Sequence, residues 1–577
     1  MLLTAVALAV QLQGSGVSAD SIERLRSVAR RAETEFERLS RRLIPMRYSS
    51  GGTDCDEIVG RFCLTYDSGR PYEPGPPHGR IVDARRDAIE ALRHVFTYTP
   101  GELDTAAPLV RYLVEDDRAS EAAATARLFR LESSDTVWGL LLLGFAEHAA
   151  GNDTTSARLF AEALERMPPG ERGDIADLDW VLESPDGGAW DDLEDHERDN
   201  FARRFWTLSD PLFMTPGNES RNEHVARHVW SKMLERAPRV ADMLPWGRDL
   251  DELTVRYGVP TARTRNPGTP MRDGSLTEHF DPDQLAWAPE AFARDGPPPP
   301  PLPGRPWEPE RTRSRSGYAP ATFRRMIRIE HQATRIPDGD GTILRLDGEF
   351  VLDSVAARSG FVRTALFVLD DSLRHVTRSD GDAAPAADTV RFHFEARLPR
   401  GGYLFSLEAF DTTTRLAGRA RYFLENDSAA GPRMSDPVIT APWSPAPVPA
   451  GRNDPGFRPR ARLILQPSDT IGLYAEGLGF RPGAFLEVEL SVEPASRGSL
   501  PARVFSWIGD KLGLSGPDTP TRLGWTTRAD DAGAAILAVE LFPDQRDEGD
   551  HVIILRVTES GTDRAAESRR IFRVESR

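Results

Sequence analysis

The sequence has little lysine, little cysteine and a deficit of positive charge. Lys232 and Lys511 are the only lysines among 72 basic residues, and the formal net charge is −17. Such a charge repels the phosphate backbone, which nucleic-acid-binding proteins neutralise with clustered basic side chains. We therefore expect no nucleic-acid partner, and we attribute the scarcity of lysine to a GC-rich bacterial genome.

Long apolar runs are also missing. No segment beyond the N-terminus approaches the roughly 20 apolar residues that a membrane helix needs, so we expect no transmembrane span in the mature chain. The first ten residues are apolar, and Val17-Ser18-Ala19 precedes Asp20. This pattern predicts a signal peptide over residues 1–19, although no basic residue precedes the apolar run. The alternative is an amphipathic N-terminal segment. Export would place the protein in the periplasm, in the outer envelope or outside the cell.

The two cysteines, Cys55 and Cys63, are close together in an otherwise cysteine-free chain. A close pair of this kind predicts one local disulfide formed in an oxidising compartment. Closing so short a loop would stabilise the fold by about 2 to 3 kcal/mol. The spacing lacks the Cys-x-x-Cys pairs of zinc sites, so a metal site is the weaker interpretation.

Familiar catalytic and metal-binding motifs are absent as well. There is no Gly-x-Ser-x-Gly elbow, P-loop or dinucleotide fingerprint. His224 and His228 lie one helical turn apart, but Val225 stands where a zincin has glutamate, so we expect two solvated histidines. Residues 338–341 and 380–382 contain Asp-Gly pairs without the rest of a calcium loop, which predicts β-turns. We therefore predict no catalytic residue, no metal and no cofactor.

The chain contains 577 residues with 46 prolines and 47 glycines, which indicates several domains joined by linkers. We predict a multi-domain α+β protein with a helical repeat-like N-terminal domain, a small mixed α/β central domain and two tandem antiparallel β-sandwiches. The predicted segments are a signal peptide (1–19), a helical domain (20–170), a central domain (171–294), a proline-rich linker (295–319), the first sandwich (320–440), a second linker (441–459) and the second sandwich (460–577).

Helical periodicity dominates the first of these domains. Apolar residues recur on one face from Ile22 to Leu43, and residues 81–167 are rich in alanine and leucine with breaks at 98–101, 115–117 and 150–152. This text predicts short antiparallel helices. The last pair resembles a tetratricopeptide repeat in the spacing of Gly144, Gly151, Phe160, Ala163 and Pro168. Such repeats usually bind proteins, but fewer than three are visible, and plain helical packing explains the pattern equally well.

The central domain carries a second resemblance. We expect one helix that runs towards Phe205-Trp206 and stops before Asp210-Pro211, another that begins at Thr215-Pro216, and a strand over Leu253–Tyr257. The ordered landmarks are Phe205, Trp206, Asp210, Pro211, Thr215, Asn218, Glu219, Trp246, Asp249, Tyr257, Gly258 and Pro260. Together they resemble the GWxTD domain of exported bacterial proteins over residues 195–260, although Pro245 and Arg248 replace the motif's glycine and threonine. The resemblance implies export and no established activity.

These landmark residues allow two interpretations. Trp206, Trp246, Asp210 and Asp249 could form a binding surface, because aromatic and charged residues on loops often mark recognition. We favour a structural role in which the tryptophans pin helices and the aspartates hold turns, because these residues occur at element boundaries.

Beyond the proline-rich linker, the sequence changes to short strand-like segments separated by Gly, Asp and Pro. Strands are predicted over 326–330, 342–346, 361–368, 390–394 and 403–410, a pattern typical of a β-sandwich. The hairpin over 402–424 has a counterpart over 550–574, with a polar turn and an arginine-rich returning strand in both. This parallel predicts two homologous sandwiches.

The functional prediction is accordingly broad. We expect a non-enzymatic exported interaction or structural protein of the bacterial envelope whose partners are other envelope or secreted proteins. One alternative is an envelope hydrolase using carboxylates near Asp210, Glu219 and Asp249. Another is a carbohydrate-binding sandwich protein, which an exposed aromatic platform would distinguish.

Overall fold

The fold is known from a computed structural model. It describes residues 18–48, 57–64, 76–182, 190–237, 246–260, 262–266, 275–279, 318, 320, 322–323, 325–352, 361–386, 388–426, 431–444, 446–495, 521–541 and 548–575. These residues form two compact units. The helical unit contains the described residues up to His279 together with Tyr318, Pro320 and Thr322, and the β unit begins at Phe323. Within the described ranges, no helix is both long and apolar enough to cross a membrane.

Ten helices occur among the described residues, all in the helical unit. They are α1 Ala19–Arg42, α2 Gly79–Phe96, α3 Leu103–Glu115, α4 Ala119–Glu132, α5 Thr136–Ala149, α6 Asp153–Arg166, α7 Pro169–Ala176, α8 Asp195–Ser209, α9 Glu219–Glu235 and α10 Arg248–Tyr257. The predicted breaks at 98–101, 115–117 and 150–152 are confirmed. A further break at 133–135 was missed, where the Asp135 side chain caps α5 by accepting the Trp138 N–H at 3.0 Å.

One hydrophobic core joins most of these helices. It contains Phe36 of α1, Ile89 of α2, Leu142 of α5 and Phe160 of α6, and also Val229 of α9. Helix α9, which carries part of the GWxTD resemblance, therefore packs into the same core as the preceding helices.

Short strands accompany the helical unit. They are β1 Met46–Tyr48, β2 Glu57–Val59, β3 Phe62–Leu64, β4 Ala262–Asn266 and β5 Ser275–His279. Strand β4 pairs with β1 in parallel and with β5 antiparallel, while β2 and β3 form a hairpin. A small core of Val59, Phe62, Leu253 and Tyr257 packs this hairpin against α10.

Two sequence predictions about this region are wrong. The predicted strand over Leu253–Tyr257 is the end of α10. All five of its residues are buried, so the alternation of apolar and polar residues does not mark one exposed face. The second helix begins at Glu219 and not at Thr215, because the Asn218 side chain caps it by accepting the Arg221 N–H at 2.9 Å.

The β unit contains the remaining described strands. They are β6 Arg325–Arg328, β7 Glu330–Asp338, β8 Gly341–Val351, β9 Val362–Asp370, β10 His375–Ala383, β11 Thr389–Leu398, β12 Gly401–Asp411, β13 Leu416–Asn426, β14 Arg433–Met434, β15 Val438–Thr440, β16 Ile464–Leu465, β17 Ile471–Leu478, β18 Phe485–Pro494, β19 Thr521–Arg528, β20 Ala535–Leu541, β21 Gly549–Glu559 and β22 Ala565–Val574. Four of the five strands predicted between 326 and 410 are confirmed. The fifth, 326–330, is divided at Ile329 between the end of β6 and the start of β7.

These strands form several sheets, most of them antiparallel. A five-stranded sheet in the order β10-β9-β12-β13-β6 and a three-stranded sheet β11-β8-β7 share one core. A second core lies between the sheet that contains β14, β17, β15 and β20 and a five-stranded sheet, β16-β22-β21-β18-β19. Burial alternates along β18, where Leu486, Val488 and Leu490 face this core.

The two Asp-Gly segments have different structures. Gly339 and Asp340 form the predicted two-residue turn between β7 and β8, with Gly339 at φ +54°. Residues 380–382 form no turn, because they lie inside β10, where the Arg378 side chain pairs with Asp380 at 2.7 Å.

Candidate functional site

The candidate site forms where two closely packed helices meet a third. Helices α5 and α6 approach so closely at Gly144 that an added Cβ atom would lie 2.6 Å from the Phe160 ring. The Ser156 hydroxyl donates to the Gly144 carbonyl oxygen at 2.9 Å and ties the helices together at this point. The short connection at 150–152 then brings His148, near the end of α5, beside Asp153, the first residue of α6.

His148 lies between two carboxylates. Its Nδ1 atom is 3.0 Å from Oδ1 of Asp153, and its Nε2 atom is 2.8 Å from Oε2 of Glu223 on α9. Burial opposes the imidazolium charge, but the two hydrogen bonds and the two negative charges outweigh it and raise the pKa of His148 to about 10. At neutral pH the ring is therefore cationic, donates from both nitrogens and links three helices.

Glu223 also binds an arginine one turn along its own helix. Nε of Arg227 donates to its Oε1 atom at 2.6 Å, and Nη1 of Arg227 donates to the Arg256 carbonyl oxygen at 2.7 Å. Burial alone would raise the pKa of Glu223, but Arg227 and His148 together hold it at about 2. Because Arg227 meets the last turn of α10, the cation also interacts favourably with the carbonyl end of that helix.

Glu219 has a different environment at the start of α9. Its side chain is 2% exposed, and Oε1 accepts a hydrogen bond from the Thr322 hydroxyl at 2.5 Å. Burial and the negative charge of Asp153 raise the pKa of Glu219 to about 7, against the opposing effects of Thr322 and His148. A carboxyl group in this range can exchange a proton near neutral pH.

A cavity of about 160 Å³ lies beside these groups. Its polar lining consists of His148, Asp153, Glu219, Glu223 and Arg227, and its apolar and aromatic lining consists of Val114, Phe145, Ala149, Ala226, Trp230 and Tyr318. Phe145 and Trp230 make an edge-to-face contact at 5.6 Å. This cavity is smaller than the roughly 300–1,000 Å³ of most small-molecule pockets, so it can accept only a small group.

The three carboxylates considered for catalysis are divided by the structure. Glu219 lines the cavity, and Asp210 lies close enough that its charge acts on the buried Tyr318 hydroxyl. Asp249 is bound elsewhere, by both Nε and Nη2 of Arg61 at 2.5 and 2.6 Å. This ion pair lowers the pKa of Asp249 and ties α10 to the β2–β3 hairpin.

The remaining landmark residues mostly contact the backbone or pack inside the helical unit. The Asn218 amide donates to the Trp206 carbonyl oxygen at 2.6 Å, and the Thr215 hydroxyl donates to the Leu212 carbonyl oxygen at 2.8 Å. The Trp246 indole donates to Asp251 at 2.9 Å. Three more landmark residues are buried, namely Phe205, Pro211 and Tyr257. Gly258 has a positive φ, and Pro260 is partly exposed.

The histidine pair of α9 differs from its prediction. His224 and His228 are each 6% exposed, so the prediction that both are solvated is wrong. The His224 ring lies 5.0 Å from Trp206, and the His228 ring stacks on Trp180 at 6.1 Å. Burial lowers the pKa of both rings, that of His224 to about 4, which keeps them neutral. Among the described residues, no three His, Cys, Asp or Glu side chains are grouped to bind a metal.

One sequence prediction falls on residues that the structure does not describe. The predicted Cys55–Cys63 disulfide lies outside the described part of the chain, since Cys55 and the Cys63 side chain are not covered.

Sequence reasoning did not identify His148, Asp153 or Tyr318. The available signal was local: His148 and Asp153 flank the predicted break at 150–152, and Glu223 and Arg227 have the i, i+4 spacing of a helical ion pair.

Comparisons with known proteins assign no family. No family model matches the chain, and no curated protein matches its sequence. A red sea bream transglutaminase is 11% identical, with a TM-score of 0.14, over 43% of this chain and 32% of that one. A calcium-binding mutant of β-glucuronidase 2 from Bacteroides uniformis is 8% identical, with a TM-score of 0.17, over 41% of this chain and 27% of that one. The chain therefore spans about a third or less of each of these structures, and neither likeness assigns an activity to it.

Proposed function

We propose that this chain is a non-enzymatic interaction protein of the bacterial envelope whose helical unit binds another exported protein. The resemblance of residues 195–260 to GWxTD domains and the leader-like N-terminus support export. The observation that carries the interaction role is an apolar stripe on α4, formed by Ala124, Leu128 and Leu131.

The stripe has the spacing of one helix face. Its three residues stand at positions i, i+4 and i+7, and all three are exposed. Leu128 is 53% exposed and Leu131 is 78% exposed. Isolated exposed leucines are ordinary, whereas apolar residues aligned on one face favour a binding surface. An amphipathic element of a partner could cover this stripe.

The arrangement of elements supports the finer domain predictions. The close contact between Gly144 and Phe160 is the kind of small-residue helix crossing that a tetratricopeptide-like hairpin needs. Two cores between paired sheets favour the tandem β-sandwiches, and the β12–β13 and β21–β22 hairpins occupy matching places in them. We propose that the sandwiches act as spacers that present the helical unit.

The alternative functions receive less support. Hydrolysis by paired carboxylates needs at least two of them facing a substrate, but Asp249 is occupied by Arg61 and the cavity at Glu219 is small. Carbohydrate-binding sandwiches usually present aromatic side chains. In the described part of the β unit, Phe361 and Phe485 are exposed singly, and no tryptophan or tyrosine is exposed.

The interaction role is tested by capture followed by measurement of affinity. Full-length protein is used to isolate partners from a bacterial envelope extract, and the recovered partner is then purified for binding to immobilised variants. We expect Leu128→Glu/Leu131→Glu to weaken binding at least tenfold, because burying charged carboxylates against an apolar partner surface costs free energy. A matched control, Val28→Glu/Val82→Glu, changes two exposed valines of α1 and α2 and should bind like the wild type. Equal affinity of the stripe variant and the control would contradict the proposal.

A further inference from the structure

Glu219 is the carboxylate at the cavity that lacks a hydrogen-bonded cationic partner. Both ring nitrogens of His148 are used by Asp153 and Glu223, and Arg227 binds Glu223 and the carbonyl end of α10. These two cations and two carboxylates balance in charge. The Glu219 carboxylate is therefore surplus negative charge when it is ionised.

One oxygen of Glu219 also has no hydrogen-bond partner. Oε1 accepts from Thr322, whereas Oε2 is buried and receives no hydrogen bond within the described structure. The nearby Thr215 hydroxyl lowers the pKa of Glu219, but it donates to the Leu212 carbonyl oxygen at 2.8 Å and does not satisfy Oε2. A buried carboxylate oxygen without a donor is costly, so a ligand that brings a donor and a positive charge would be stabilised there.

The rest of the lining suits the apolar part of such a ligand. Phe145, Trp230 and Tyr318 supply aromatic surface, and Val114 and Ala226 supply aliphatic surface. Aromatic faces attract cations, and the attraction increases when the cation is removed from water. The volume of about 160 Å³ is close to that of an engineered cavity of about 150 Å³ that binds benzene.

We propose that this cavity binds a small organic ammonium ion, with the N–H group donating to Oε2 of Glu219 and a short alkyl chain packed against the aromatic side chains. Glu223 is the most exposed of the charged side chains that line the cavity, at 25%, so entry is expected on its side. This binding role is independent of the stripe on α4, so failure of either proposal leaves the other intact.

The charges around Glu219 set the expected pH dependence. Asp153 on α6 and His148 on α5 act directly on it, and Glu223 and Arg227 share its helix. Tyr318 lies close to Glu219, and the charge of Asp210 also acts on Tyr318. Since the pKa of Glu219 is raised to about 7, affinity for a cation should fall as pH drops below 7. The expected limit is about tenfold per pH unit, the value for one coupled proton.

The proposal is tested with n-butylammonium, and with n-butanol as the neutral ligand of similar shape, by calorimetry on the full-length protein. At pH 8 we expect n-butylammonium to bind at least tenfold more tightly than n-butanol, and at pH 6 most of this preference should be lost. Glu219→Gln keeps the shape and the contact with Thr322, so it should fold normally and lose both the preference and its pH dependence. Glu235→Gln, at an exposed position on the same helix, is the matched control and should behave like the wild type.

A second variant distinguishes the effect of cavity volume on binding from the effect of the Glu219 charge. Ala226→Val adds bulk to the lining and should weaken both ligands, whereas Glu219→Gln should weaken only the ammonium ion. Equal binding of the ammonium ion and the alcohol to the wild type would show an apolar void without charge selectivity and would overturn the proposal. The absence of ammonium binding at pH 8, or unchanged binding by Glu219→Gln, would also overturn it.

Discussion

At the scale of single residues, the helical unit depends on a few charges removed from water. His148 bridges Asp153 and Glu223, which belong to different helices, and Arg227 completes the set. Removing one member of such a group leaves the others desolvated without compensation, which costs more than the intact group contributes. The consequence is that substitution at His148 should matter more than its partly exposed position suggests.

We expect His148→Gln to lower the free energy of unfolding of the helical unit on the order of 3 kcal/mol, because Asp153 and Glu223 lose their shared cation. Chemical denaturation followed by circular dichroism measures the change. His94→Gln replaces an exposed histidine of α2 and should change the stability by less than about 0.5 kcal/mol. A similar loss in both variants would show that the bridge contributes little.

The loss of stability caused by His148→Gln should depend on pH. The pKa of His148 is raised from 6.5 to about 10, so its contribution is complete below 6.5 and disappears as pH rises through 10. The pKa of Glu223 is lowered from 4.5 to about 2, so its contribution is complete above 4.5 and is lost as pH falls through 2. The difference between wild type and His148→Gln should therefore be largest between pH 4.5 and 6.5, and a difference that grows from pH 7 to 10 would contradict this assignment.

At the scale of elements, residue periodicity predicted most helices but identified α10 as a strand. Leu253, Val255 and Tyr257 alternate with Thr254 and Arg256, and periodicity over five residues cannot separate a fully buried helix from a strand. The local evidence for a helix was present in the ion pair of Glu252 and Arg256, at i and i+4, and in the acidic first turn. Only the tertiary structure shows that all of these side chains are covered, since Leu253 and Tyr257 pack against the β2–β3 hairpin and Arg227 of α9 reaches the Arg256 carbonyl oxygen.

The hairpin of α5 and α6 gives a prediction at this scale. Gly144→Ala should destabilise the helical unit by about 1 to 3 kcal/mol, because the added methyl group collides with the Phe160 ring and must push the helices apart. Gly170→Ala in α7 meets nothing within 4 Å and should be neutral or slightly stabilising, since alanine favours helix over glycine. Thermal unfolding of both variants provides the comparison, and an undisturbed Gly144→Ala protein would show that the helices tolerate a wider spacing.

At the scale of the whole molecule, two units have separate hydrophobic cores. Leu142 is completely buried in the core of the helical unit, and Leu407 is completely buried in a core of the β unit. Units with their own cores can unfold in separate steps. The division falls near Thr322 and Phe323, within the span that sequence reasoning assigned to the first sandwich.

Calorimetry should therefore resolve two transitions. Leu142→Ala and Leu407→Ala remove the same side-chain atoms from different cores, and each should cost about 2 to 5 kcal/mol. We expect Leu142→Ala to lower one melting temperature and Leu407→Ala to lower the other. If either substitution shifts a single common transition, the two units unfold together.

The sequence by itself determined the order of architectures, because helical and strand periodicities are local properties of neighbouring residues. It correctly placed helices before strands, most of the helix breaks and the main β-hairpins. The candidate site depended on tertiary structure, because His148, Glu219 and Tyr318 are far apart in the chain and meet only when α5, α9 and the segment at Tyr318 pack together. Burial, which raises the pKa of Glu219 and leaves its Oε2 atom without a donor, exists only in the folded chain.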